Sequence, residues 1–206
     1  MTRYLPRKRG GFCGARRARH DGGVSWDGDD YQRRFDDLAA SGVGVHGEVD
    51  FVMAWAPRSV LDAGCGSGRA ARELARRGVD VVGADVDESM VATARRLSPE
   101  LTWVVTDLRN LDLGRLFDVV LMAGNVPLFT PTGTQPALVA GCARHVDVSG
   151  ALVAGFQLGR GYSLDAYDED CATAGLELAE RWATWDREPF TPTSDYAVSV
   201  HRSRST

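Results

Sequence analysis

The sequence predicts a doubly wound α/β fold: a seven-stranded, mostly parallel sheet with helices on both faces and an antiparallel last pair of strands. Three observations carry this expectation. From residue 59 onward, short apolar runs alternate with helical patterns, as in a parallel sheet covered on both sides. The first such run feeds straight into three alternating glycines and a helix, "SVLDAGCGSGRAARELARRG". The last two runs, "LELAERWATWD" and "DYAVSVHRS", are joined only by "REPFTPTS", too short for a helical crossover, so they pair antiparallel.

Residues 1–24 are rich in Gly and Arg without apolar periodicity and read as a basic, disordered leader. Residues 25–206 form a single domain, opened by a helical lid over 25–56. In "DDYQRRFDDLAASG", Tyr31, Phe35 and Leu38 recur at helical spacing; "HGEVDFVMAWA" repeats the pattern with Val49, Val52 and Met53 and stops before Pro57. The strand–helix alternation then runs "SVLDAG" and "GRAARELARRG", "DVVGAD" and "DESMVATARRL", "LTWVVTD" and the irregular link "LRNLDLGRL". "FDVVLMAG" follows, with a loop holding Pro127 and Pro131 and the helix "QPALVAGCARHV". "GALVAGFQL" and "SLDAYDEDCATAG" precede the closing pair.

Composition narrows the function classes. The chain has 206 residues and 44% hydrophobic content, enough for one cored domain. No apolar run is long enough to span a bilayer, and the start lacks a secretory h-region, so a cytoplasmic location is expected. Cys13, Cys65, Cys142 and Cys171 have neither CxxC spacing nor a histidine cluster, which argues against a metal site or a disulfide framework. The first twenty residues carry seven basic side chains and no acid, leaving 17 basic against 28 acidic side chains in the remainder. So acidic a body speaks against a nucleic-acid partner.

The glycine run Gly64, Gly66, Gly68 allows a sharp turn and close ligand approach at the N-terminus of the next helix. Asp85 ends the second strand, where a carboxylate can accept both hydroxyls of a ribose. An adenosine-containing ligand fits both features. Counting the dinucleotide fingerprint from Gly64 puts Arg69 where a small residue is needed; counting from Gly66 reaches Ala71 but begins the turn late. Asp62 would repel a pyrophosphate yet suits an amino group. Asp107, ending "TWVVTD", can accept an adenine amino group, and the Leu108 N–H can donate to the ring.

With D-x-G-x-G-x-G and an acid after each of the next two strands, the chain over roughly residues 45–202 resembles class I S-adenosylmethionine-dependent methyltransferases. The resemblance implies the Rossmann-like form of the fold, S-adenosyl-L-methionine as cofactor, and methyl transfer to a small-molecule acceptor. It implies that Asp62 and the loop Gly64, Cys65, Gly66, Gly68 line the methionine end. Asp85 would take the ribose with Val86 beside the adenine, Asp107 and Leu108 would read the adenine edge, and Ala123 would offer a carbonyl. A non-catalytic binding module and an NAD-dependent oxidoreductase are the competing readings.

Acceptor-side candidates are Phe129, after the fourth strand, and Gln157 and Tyr162, after the fifth, on the loops where this fold meets its acceptors. His46 and Tyr31 are the candidates for chemistry, against the plainer reading of each as a helix-entry or packing residue. "NVPLF", from Asn125, is similar to the N-P-P-[YF] motif of DNA amino-methyltransferases, but Val126 replaces a proline and Leu128 intervenes before the aromatic.

Overall fold

The computed structural model describes residues 46–203, together with residues 17, 18, 24, 25, 28, 29, 33 and 37. Arg17–Ala18 and Val24–Ser25 form a two-residue antiparallel ladder. Tyr31 and Phe35, the stripe of the expected lid, lie outside the described residues. Asp29 accepts a hydrogen bond from Thr93 Oγ1 at 2.7 Å and pairs with Arg96.

The sheet is built from β1 (Ser59–Ala63), β2 (Asp80–Asp85), β3 (Thr102–Val105), β4 (Phe117–Met122), β5 (Val146–Gln157), β6 (Leu176–Trp182) and β7 (Tyr196–Ser203). Their order across the sheet is β3-β2-β1-β4-β5-β7-β6. β7 runs antiparallel to both β5 and β6, as the short final link requires; the remaining neighbours are parallel. The helices are α1 (Gly47–Met53), α2 (Arg69–Arg76), α3 (Glu88–Leu97), α4 (Val126–Phe129), α5 (Gln135–Ala143) and α6 (Leu164–Thr173).

Alternation along the strands feeds two cores. Leu61, Val82, Val120, Leu152 and Phe156 face α5 and α6, while Val60, Val81, Val119, Val153 and Val200 face α1, α2 and α3. Val49, Phe51 and Val52 of α1 have no exposed surface, so this part of the expected lid is a fixed core helix. Asp87 caps α3 by accepting from the Ser89 and Met90 N–H groups at 2.9 and 3.3 Å.

Three elements differ from the sequence expectation. The stretch after β4 is not all loop: Pro127 falls in the first turn of α4, where its missing N–H costs nothing. α5 ends at Ala143, and His145 turns back so that its Nδ1 meets the Gly141 carbonyl at 2.8 Å. β6 stops at Trp182, before a turn in which Arg187 takes φ 58°.

Candidate cofactor and acceptor site

Register brings the ends of β1, β2 and β4 level: Asp62 stands beside Gly83 on one side and Leu121 on the other, and Ala63 beside Ala84. The glycine loop leaves β1 at this point. Gly64, Gly66 and Gly68 take φ of 82°, 54° and 81°, left-handed values that side chains rarely tolerate. The Gly64 and Cys65 N–H groups donate to the Ala84 carbonyl at 2.8 and 3.1 Å, which pins the loop to the end of β2. Beneath it lies the Trp103 indole of β3, filling the space that side chains at Gly68 and Gly83 would need. The Trp103 indole N–H donates to the Ser98 carbonyl at 2.8 Å and fixes the ring.

Asp85 ties the loop to the second strand end. One carboxylate oxygen accepts the Gly66 N–H at 2.8 Å and the other accepts the Asp87 N–H at 2.9 Å. Burial pushes its carboxyl up, against these two donors. Val86, next to it, is 67% exposed although apolar. Asp62 is 2% exposed and accepts the Ala71 N–H of α2 at 3.1 Å. Burial raises its carboxyl to about 7, opposed by Arg69. Arg69 forms an ion pair with Glu48 of α1, itself buried.

Asp107 lies two residues past β3, at the start of a short 3-10 turn, and Arg109 closes on it. The Arg109 Nε lies 2.9 Å from both carboxylate oxygens, and its backbone N–H donates to Oδ1 at 2.9 Å. This contact holds the Asp107 carboxyl below its ordinary value. Leu108 is buried in the core, so its side chain packs while only its backbone is available to a ligand.

On the acceptor side, half-buried Ala123 follows β4, and Gly124 and Asn125 come next with φ of 77° and 70°. Asn125 bridges two strand ends: its N–H donates to the Gly155 carbonyl at 3.1 Å and its Oδ1 accepts the Gln157 N–H at 2.7 Å. Phe129 closes α4 and is 57% exposed. Tyr162, by contrast, is buried; its ring packs on Phe156 and Tyr167 and its hydroxyl donates to Asp170. His46 precedes α1, half-buried, with Nδ1 buried and without a hydrogen-bond partner. Burial, then Arg69, lowers its pKa and keeps it neutral. The structure thus gathers Asp62, the glycine loop, Asp85, Val86, Asp107, Ala123, Phe129 and Gln157 along one edge of the sheet, and leaves Tyr162 in the core.

Sequence reasoning missed Glu48, Arg109 and Tyr196, took Arg69 only as a break in the dinucleotide fingerprint, and set Trp185 aside with Trp182 as a poor aromatic box. Gly155 lacks a side chain where the Trp185 ring and, 2.6 Å from the Cβ position, the Tyr196 hydroxyl stand. Arg109, two residues past an acid already singled out, was open to inspection; the others meet through space, with no signal in their spacing. Among the described residues, no group of three or more His, Cys, Asp or Glu side chains could hold a metal ion, and no helix is long and apolar enough to cross a membrane.

A family model for the methyltransferase domain matches residues 60–150. A dTDP-3-amino-3,4,6-trideoxy-α-D-glucopyranose N,N-dimethyltransferase of Streptomyces venezuelae is 32% identical over 126 residues, 60% of this chain and 52% of its own. The magnesium-protoporphyrin O-methyltransferase of Rhodobacter capsulatus is 44% identical over 68 residues, 31% of this chain and 30% of its own. The chain spans about half, or less, of the length of the curated relatives it matches. The crystal structure of a TehB-like SAM-dependent methyltransferase from Corynebacterium glutamicum covers 86% of this chain, and 98% of its own length is matched, with a TM-score of 0.81 and 35% identity. Identity at that level, sustained across nearly a whole relative that shares the fold, places this chain in the S-adenosylmethionine-dependent methyltransferase family.

Proposed function

We propose that the chain is an enzyme that transfers a methyl group from S-adenosyl-L-methionine to a small-molecule acceptor. One observation supports this most: the Asp85 carboxylate stands at a strand end, stapled to the glycine loop, with an exposed valine beside it. The Asp85 oxygens take the Gly66 and Asp87 N–H groups, with the Val86 N–H also turned to the carboxylate, and lone pairs remain for ribose hydroxyls. Val86 offers an apolar face to adenine, and the glycine loop a backbone wall to the methionine end. Asp107 would accept the adenine amino group once Arg109 gives way.

The cofactor, when bound, supplies an already activated methyl group. The chain then has to hold the acceptor in line and exclude water. Phe129, the Asn125–Gln157 bridge, Trp185 and Tyr196 are the residues we assign to the acceptor wall. His46, neutral and with an unpartnered Nδ1, is the group available to take a proton from an acceptor hydroxyl or ammonium. The relatives' acceptors, an amino sugar and a porphyrin, support a small molecule rather than a nucleic acid. Free, buried Cys65, Cys142 and Cys171 suit a reducing, cytoplasmic setting.

Label transfer from radiolabelled S-adenosylmethionine into fractionated cell extract tests the reading. A labelled small molecule is expected. Tight S-adenosylhomocysteine binding with no labelled product in any fraction would mark a binding module instead.

A further inference from the structure

The charges around the glycine loop do not balance. Asp62 is 2% exposed and Glu48 is 6% exposed, and Asp85 stands across the loop; Arg69, at the first position of α2, is the cation that acts on Asp62, while the Arg72 Nε is turned to the Gly68 carbonyl at 3.3 Å. Arg69 is paired with Glu48 in an ion pair whose side chains are 18% and 8% exposed. Asp62 is left with one neutral donor, the Ala71 N–H. A buried carboxylate held by a single amide N–H is poorly compensated.

We propose that Glu48 and Arg69 are positioning residues that set the charge on Asp62, so that cofactor binding drives one proton out of this cluster. The proposal rests on the cofactor assignment above. In the free protein, the Asp62 carboxyl holds a proton over much of the neutral range, because burial and Glu48 oppose ionisation while Arg69 is shared. The α-ammonium group at the methionine end of the cofactor brings the missing positive charge. Asp62 then ionises, its O–H bond breaks, and the proton leaves to the buffer.

The other groups facing this cluster are accounted for. The Cys65 thiol, buried beside Asp62, is pushed well above its ordinary range and does not titrate near neutrality. Tyr196, reaching Glu48 from β7, is likewise pushed up by burial. His46 is lowered by burial and by Arg69 and carries no charge there. Glu73 of α2 is engaged by Arg76 and Arg77 and stays ionised. The exchangeable proton is therefore the one on the Asp62 carboxyl, the acid of this cluster that burial raises to about 7.

S-adenosylhomocysteine, which keeps the α-ammonium group, is the probe. Calorimetry in buffers of different ionisation enthalpy is expected to show about half a proton released at about pH 7, nearly a whole one near pH 6, and almost none above about pH 8.5. Affinity should rise about tenfold between about pH 6 and pH 8. Glu48→Gln removes a like charge, so the release should move to lower pH. Arg69→Gln should move it to higher pH, and Arg69→Lys should restore the wild-type window. A purely structural role would change melting temperature or affinity and leave the proton count as it is. If a variant fails to fold, the wild-type buffer series decides alone. Binding with the same heat in every buffer at all three pH values would overturn the proposal and leave the cofactor assignment standing. Failure of the wild type to bind S-adenosylhomocysteine would overturn the assignment itself.

Discussion

The two ends of strand order β3-β2-β1-β4-β5-β7-β6 treat buried charge differently. Toward β6 and β7, Asp168 of α6 accepts two bonds from Arg181 and lies 3.1 Å from His201 Nε2, while Arg181 Nε donates to Ser199 Oγ at 3.0 Å. Tyr162 and Asp170 complete a second pair nearby. Acids there meet donors supplied by the protein. Toward β2 and β1, Asp62 and Glu48 share Arg69, and Asp62 and Asp85 are otherwise held by a few backbone N–H groups. The first arrangement is closed and serves to fasten a helix to the sheet. The second is open, and its unspent capacity for positive charge and hydroxyl donors is what a ligand can use. Burial of polar groups alone does not separate structure from site; the balance of donors and acceptors does.

Asp62→Asn should break the contrast most strongly. The Asp62 carboxyl rises to about 7 on folding from an ordinary 3.8, so the folded state favours its protonated form. Its contribution to stability is then full below about pH 4 and is lost as pH rises through about 7. In ligand-free protein at about pH 8, Asp62→Asn should be the more stable by up to about 4 kcal/mol, with no difference near pH 4. Denaturant titrations of both proteins across this range measure it; parallel curves at both extremes would refute it.

Asp85→Ala comes next. Two charge-assisted bonds to ribose would go, so S-adenosylhomocysteine should bind about 100-fold more weakly, roughly 3 kcal/mol. Because Asp85 also holds the Gly66 N–H, some thermal stability should go with it. Unchanged affinity would remove the ribose assignment. On the closed side, Asp168→Ala should cost about 2–3 kcal/mol of stability, discounted because Asp168 is about one-third exposed. It should leave ligand affinity untouched, and a matching drop in affinity would show that the two ends are coupled. Smallest is Asp87→Ala, which removes the α3 cap for about 1 kcal/mol. A fall of a few degrees in melting temperature, with affinity within about twofold, is the expected result.

The open end was the more legible in the sequence. Its chemistry is written in consecutive residues: glycines at every second position, then an acid wherever a strand stops. The parallel sheet followed from the same alternation, and the antiparallel direction of β7 from an eight-residue link with no room for a helix. The remainder depended on contacts between distant segments. Nothing around Trp103 says that it is the floor beneath Gly68 and Gly83. Asn125 was noted within a motif similar to one in DNA amino-methyltransferases, yet its Oδ1 is used to hold the Gln157 N–H. Tyr162 follows β5 as an acceptor residue would, but apolar contact with Phe156 and Tyr167 draws it inward. Arg187 lies 136 positions from Phe51 and still donates to its carbonyl.

The place of β7 has a consequence for how the protein is made. β6 is synthesised before β7, yet its partner in the sheet is β7 and not β5. Until β7 is available, β6 has no edge to join and the flank of β5 is bare. The half bearing the glycine loop can assemble in that interval from β1 to β5 and their helices, which follow one another in the chain. The last strand must then slide between two waiting neighbours, pairing Gln157 with Tyr196 on one side and Trp182 with Val198 on the other. Long-range pairing of this kind is slow and leaves apolar edges exposed meanwhile. The nascent chain is therefore most exposed to aggregation in the seconds before β7 emerges, after the cofactor half already has its shape.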